Sequence, residues 1–123
     1  MSEYLDKQTV KTYLNLGKTI EIFLGRISED KEIISYLDLQ KTKSGELELT
    51  YYELYDEGSL EYLDLYSFSF VDPDMNFETY NFENIDLVIE FIRDRYKIND
   101  IKFVNAGLIQ DEYRELLKSE GRN

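Results

Sequence analysis

The chain contains no cysteine, no histidine and no tryptophan, and a single proline among its 123 residues. Without cysteine there is no disulfide framework, no thiolate zinc site and no cysteine nucleophile. The same absence fits a reducing compartment. Without histidine, the usual general base and the commonest transition-metal ligand are gone, together with every Ser-His or Cys-His arrangement. Any catalysis would rest on carboxylates, Lys, Tyr or a bound hard cation. The six glycines are scattered, and no Walker loop, G-x-G-x-x-G or G-x-S-x-G occurs. No cofactor is therefore expected. Long apolar runs are missing as well, and stretches such as Leu87-Val88-Ile89 are far too short to span a bilayer. The opening Met1-Ser2-Glu3-Tyr4-Leu5-Asp6 has neither the basic nor the apolar region of a signal peptide, so the expected compartment is the cytoplasm.

What is present in excess is negative charge. The formal net charge is −12, and it is unevenly placed. From Ser44 to Ile92, 49 residues hold 13 acids and no Lys or Arg, whereas the other 74 residues carry 13 acids and 14 bases. One contiguous segment accounts for the whole imbalance. Like charges repel and destabilise a compact state, so such a segment either steers a basic partner or is tolerated on solvated strands and loops. Nucleic acid and anionic membranes are poor partners for this chain, because both are gripped by Lys and Arg.

A chain of this length fits one domain over residues 1–123, able to bury roughly 65–70 % of the surface its unfolded form exposes. Val10, Tyr13 and Leu14 predict a helix over Tyr4–Leu16 with Gly17 beyond it, although Thr, Val and Tyr also favour a strand across Thr9–Leu16. The period then drops to two. Strands are expected over Thr19–Arg26, Glu32–Lys41, Glu46–Tyr55 and Leu60–Val71, joined by turns at Ser28–Lys31, Ser44-Gly45 and Asp56–Ser59. The wrong parity of Leu54 after Tyr51-Tyr52 predicts a β-bulge. Asn84 reads as the N-cap of a helix carrying Ile85, Val88, Ile89, Ile92 and Tyr96 inward, and Ile109–Glu120 as a last helix bounded by Gly121, with Ile101–Val104 a possible short strand. The expected fold is α+β: a four-stranded antiparallel meander with an N-terminal helix and two C-terminal helices packed on one face.

Three candidate sites follow. The first is the Tyr-rich acidic stretch, where Glu46, Glu48, Tyr52, Asp56, Glu57, Glu61, Tyr62, Asp64 and Tyr66 are the expected partner-binding residues. Tyr supplies contact area at small entropic cost, and carboxylates stand ready for Arg or Lys opposite. The plain alternative is that Tyr is a good strand former. Asp64 interrupts an apolar face, which favours a surface open to water or a partner. The second is a weak Ca²⁺ loop of Asp72, Asp74, Asn76 and Glu83, compromised by Phe77 where such a loop needs Gly. An Asx/Pro turn is the simpler reading. The third is carboxylate-pair hydrolysis, for which nothing in the spacing singles out a pair.

In general character, rich in Asp, Glu and Tyr and lacking His, the chain is similar to small acidic bacterial immunity proteins and to phage-encoded acidic inhibitors that imitate DNA. The likeness implies an inhibitor that covers the basic active site of a toxin or nuclease, as in toxin–antitoxin pairs, and transfers no individual residues. A basic protein is thus the expected partner. The alternatives are a structural or regulatory module self-associating through its sheet, and a hydrolase dependent on carboxylates and a divalent cation.

Overall fold

The computed structural model describes residues 4–27, 30–72, 74 and 77–121. Asp6 opens the first helix, α1 (Lys7–Asn15), by accepting the Thr9 amide at 2.8 Å. This cap, with Val10 and Leu14 buried one turn apart, decides the ambiguous N-terminal stretch in favour of helix. Three strands follow, β1 (Ile20–Ile27), β2 (Asp30–Lys41) and β3 (Leu47–Tyr55). The expected turn at Ser28–Lys31 lies partly outside the described residues. Gly25, with φ +83°, sits where the β1–β2 register shifts, a conformation that suits glycine in a bulge.

The sheet has five antiparallel strands in the order β4-β3-β2-β1-β5, not the four expected. The fourth is β4 (Glu78–Phe82), a short edge strand beside β3, and the fifth is β5 (Val104–Asn105) beside β1. The sequence left residues 78–82 irregular because only Tyr80 and Phe82 alternate inward, against Phe91 at 4.6 and 5.2 Å. Residues 60–71 are not a strand. Ser59 and Tyr62 exchange a tight pair of backbone hydrogen bonds, Leu65–Ser67 forms a 3-10 turn, and only Phe70 bridges Leu54. Leu60, Leu63, Leu65, Phe68 and Phe70 consequently pack inward while Glu61, Tyr62, Asp64, Tyr66, Ser67 and Ser69 face out. Gly58 makes the close packing of this loop possible, since a Cβ there would meet the Phe68 ring, the Tyr62 carbonyl and the Tyr113 hydroxyl at 2.5–2.6 Å.

No bulge interrupts β3, which pairs with β2 in unbroken register from Ile33–Tyr55 to Lys41–Leu47. The parity of Leu54 has another cause: both faces of β3 are buried at different points. Leu47, Leu49 and Tyr51 belong to one core cluster, whereas Tyr52 and Leu54 belong to a second. The sequence places all three helices on one face, but their buried residues divide between these clusters. Val10 and Leu14 of α1 and Ile85, Val88 and Ile92 of α2 (Ile85–Tyr96) join the first; Ile109, Tyr113 and Leu117 of α3 (Ile109–Ser119) join the second. Asn84 caps α2 through the Leu87 amide at 3.0 Å, as its position predicts. Among the described residues, no helix is long and apolar enough to cross a membrane.

Candidate partner-binding face

Residues directly opposite across antiparallel strands share a face and interact. The register therefore sets Glu21, Asp38, Thr50 and Thr79 in one row across four strands, with Gln40, Glu48 and Asn81 in the next. On the other side of the first row stand Tyr36 and Tyr52, stacked at 4.8 Å and 23°. Tyr66, arriving from the 56–71 loop, meets Tyr36 edge-on at 6.3 Å.

These rings donate to the carboxylates. The Tyr66 hydroxyl donates to Glu21 Oε1 at 2.6 Å, the Gly107 amide donates to the same oxygen at 2.9 Å, and the Tyr52 hydroxyl donates to Asp38 Oδ2 at 3.0 Å. Burial raises the Glu21 pKa, offset in part by its two hydrogen bonds. Asp38 is pushed up to about 6, first by burial and then by the charges of Glu21 and Glu48, against the hydrogen bond from Tyr52. Among the described residues, neither carboxylate forms an ion pair with Lys or Arg. Burial and Asp38 together push Tyr52 up to about 12, so it stays a hydroxyl donor at any physiological pH.

Asp38 ties this face to stability. Its folded pKa lies near 6, against 3.8 for an ordinary aspartate. The folded state thus favours the protonated form, and stability is fullest below the unfolded value and is lost as pH rises through the folded one. Asp38→Asn keeps an acceptor for Tyr52 and removes the ionisation. At about 1.4 kcal/mol for each pH unit, discounted because water reaches the site, this variant should gain ~1–2 kcal/mol above about pH 6 and little below about pH 4. Urea unfolding at the two extremes checks it. A gain equal at both would place the effect elsewhere than in the charge.

Of the expected partner-binding residues, Glu57, Glu61, Tyr62, Asp64 and Tyr66 come together on the 56–71 loop. Tyr62 and Tyr66 are 46 % and 45 % exposed. The Tyr62 hydroxyl pairs with the Ser67 hydroxyl, and Glu57 accepts the Ser69 amide at 2.8 Å, so Glu57 also holds the loop. Glu48 and the half-buried Tyr52 lie on the sheet face itself, and Glu46 is exposed at the far β2–β3 turn. Asp56 has a different place. Its side chain is 3 % exposed, joins Arg26 at 2.7 Å and accepts from the Tyr113 hydroxyl. That carboxylate is a strut inside the fold.

The Lys-free segment is not gathered into one surface. Glu53, Asp72 and Glu78 line one cavity, and Glu83 and Asp86 line another. Asp56, Glu78 and Asp86 pair with Arg26, Arg95 and Lys7 respectively, bases from outside the segment. The 56–71 loop reaches the sheet face that carries Glu48, Asp38 and the buried Glu21 through Tyr66, and sequence reasoning did not single out Glu21 or Asp38. Alternation puts Glu21 and Asp38 on polar sides of their strands; only the register sets them opposite each other.

The described Ca²⁺ candidates do not converge. Asp72 accepts the Asp74 amide at 2.9 Å in an Asx turn, Glu83 lines the other cavity, and Asn76 lies outside the described residues. Among the described residues, no group of three or more acidic, His or Cys side chains could hold a metal ion. The fold and site define an α+β protein with an antiparallel sheet and a tyrosine-lined acidic face. No protein-family profile, curated protein or solved structure matches the chain.

Proposed function

We infer that this protein binds a basic protein partner through the face made by Glu21, Asp38 and Glu48 and the adjoining loop carrying Glu61, Tyr62, Asp64 and Tyr66. The supporting observation is a set of neighbouring carboxylates across β1, β2 and β3 that, among the described residues, form no ion pair with Lys or Arg, two of them with a raised pKa. A fold that keeps such a group loses stability at neutral pH, and an incoming Arg or Lys restores it. Tyr62 and Tyr66 serve as half-exposed anchors, and the surrounding carboxylates speed encounter and set orientation. The reading is that of an inhibitor of immunity-protein type, which neutralises a toxin or nuclease by covering its basic active site.

The test is capture on the immobilised protein from cells of its source. A retained protein should be basic and should release between about 0.1 and 1 M salt, a range over which the Debye length falls from about 10 to 3 Å. Retention that is indifferent to salt, or of acidic proteins only, rejects the electrostatic reading.

A further inference from the structure

The sheet ends on two outer strands, and they differ. β5 has two residues, whereas β4 has five, Glu78–Phe82, and runs beside β3 without a break in register. The direction in which each β4 backbone group points follows from hydrogen bonds further along β3. Asp56 donates to Glu32 at 2.7 Å on the β2 side. Tyr55 donates to Ser69 at 2.9 Å and Glu53 accepts from Val71 at 3.1 Å on the opposite side. Antiparallel strands alternate in this way residue by residue, and β3 pairs with β2 in unbroken register. Leu47, Leu49 and Tyr51 therefore turn their N–H and C=O toward β4, where Phe82, Tyr80 and Glu78 stand opposite. Thr79 and Asn81 turn theirs outward. Both residues are exposed, and among the described residues no turn, loop or side chain satisfies either amide.

Such an edge is a template for another strand, and proteins commonly blunt it with Lys, Pro or a bulge. β4 has none of these. Its two faces differ in chemistry. Thr79 and Asn81 continue the polar rows of the sheet, with Glu48 one strand in beside Asn81 and Asp38 two strands in beyond Thr79. On the other face the partly buried Tyr80 and Phe82 lie against Phe91, at 4.6 and 5.2 Å between ring centres. Glu78, at the start of the strand, is met loosely by Arg95 at 3.6 Å, so one cation stands at that end. A second copy of the chain could pair β4 with β4, Tyr80 on the two-fold axis and Thr79 opposite Asn81. Each copy carries a formal charge of −12, however, and that pairing would bring both Glu48 rows toward one seam. A segment of opposite charge escapes this repulsion.

We propose that the β4 edge takes an extended segment of the basic partner as a sixth, antiparallel strand, with Lys or Arg on the Thr79–Asn81 face and apolar side chains beside Tyr80 and Phe82. Backbone hydrogen bonds to Thr79 and Asn81 supply affinity, and the alternation of basic and apolar residues supplies specificity. The added strand rests on the partner reading above and extends that face to the sheet edge through Glu48 and Asn81.

The test uses the full chain and acetyl-Lys-Val-Lys-Val-Lys-amide as probe, followed by amide exchange with water. At saturation, exchange at Thr79 and Asn81 should slow about fivefold or more, with smaller changes elsewhere along β4. In an antiparallel pair the residues opposite Thr79 and Asn81 share their face, so the lysine amides carry the hydrogen bonds. N-methylation of the lysines should abolish the protection, and N-methylation of the valines should leave most of it. The Gln-Val-Gln-Val-Gln analogue should bind at least about threefold more weakly at low salt. Thr79→Pro removes an outward donor and spares the ladder to β3, so it should stay folded and weaken the peptide about three- to tenfold. Unchanged exchange at both amides, equal loss from the two methylations, or equal protection by the Gln peptide would overturn the proposal. So would protection that grows with protein concentration alone, which marks a second copy on the edge. The two readings fail separately. An unprotected edge, alongside partner capture that is lost on reversing Glu61 and Asp64, removes the added strand alone. A protected edge, with capture indifferent to those reversals, removes the loop as docking face alone.

Discussion

Replacing Arg26 with methionine is expected to destabilise the fold by about 3–5 kcal/mol, the cost of leaving a buried ion-pair partner uncompensated. Arg26, 13 % exposed, bridges Asp56 at 2.7 Å and Glu120 at 2.5 Å. Its hydrogen bonds to Glu120, ahead of its interactions with Asp56, hold the guanidinium charged against the opposing effect of burial. Asp56 is the more exacting partner because its side chain is 3 % exposed, and it also accepts from the Tyr113 hydroxyl and the Gly58 amide. Since domains of this size are stable by about 5–15 kcal/mol in all, the variant should unfold at far lower urea. The triad also pins the start of the 56–71 loop to β1 and α3, so hydrogen exchange at residues 57–71 should rise before that of the sheet. A loss below about 1 kcal/mol would show that water reaches Asp56 and that the loop is held by its apolar side chains alone.

The second large effect concerns association. Reversing Glu61 and Asp64 to lysine should slow binding of the captured partner by roughly 10–100-fold at low ionic strength, with a smaller change in dissociation. Both acids are exposed, and the side chain of Asp64 makes no capping bond to the 3-10 turn it precedes, so the loop should survive the change. Glu57 is left alone because it holds the Ser69 amide. Exposed Glu90 on α2 and Glu115 on α3 form the control pair; Glu120 cannot serve, since its reversal would break the Arg26 triad. The gap between variant and control should close as salt approaches about 1 M. Equal slowing by both pairs would mean that net charge alone sets the encounter.

Much of this architecture is legible in the residues themselves. The alternation of Ile20, Ile22 and Leu24, then Leu37 and Leu39, then Leu47, Leu49 and Tyr51 places three strands to within a residue or two at most ends. Asn84 and the spacing of Ile85, Val88 and Ile92 place α2. The stretch 60–71 misleads because Leu, Tyr and Phe favour sheets, while the decision to fold back rests on the Ser59–Tyr62 turn and the packing of Leu65 and Phe68 against α3. Leu54 misleads for the complementary reason: a strand buried on both faces loses the clean alternation of a half-wet one.

The site divides along the same line. Glu61, Tyr62, Asp64 and Tyr66 are visible because exposed aromatics among acids are a compositional signal. Glu21 and Asp38 become a site only when two strands come into register and a distant loop brings Tyr66 over them. Asp56 shows the converse, a carboxylate in the acidic run, just past the end of β3, whose partner Arg26 lies on β1.

The docking face can be mapped with hexa-arginine amide titrated into isotopically labelled protein, at low and at high salt. Shifts should gather at Glu21, Asp38, Glu48 and residues 61–66, and should vanish as the Debye length contracts. Shifts spread evenly over all exposed acids, Glu83, Glu90 and Glu115 included, would contradict the existence of a localised anionic face and with it the partner reading.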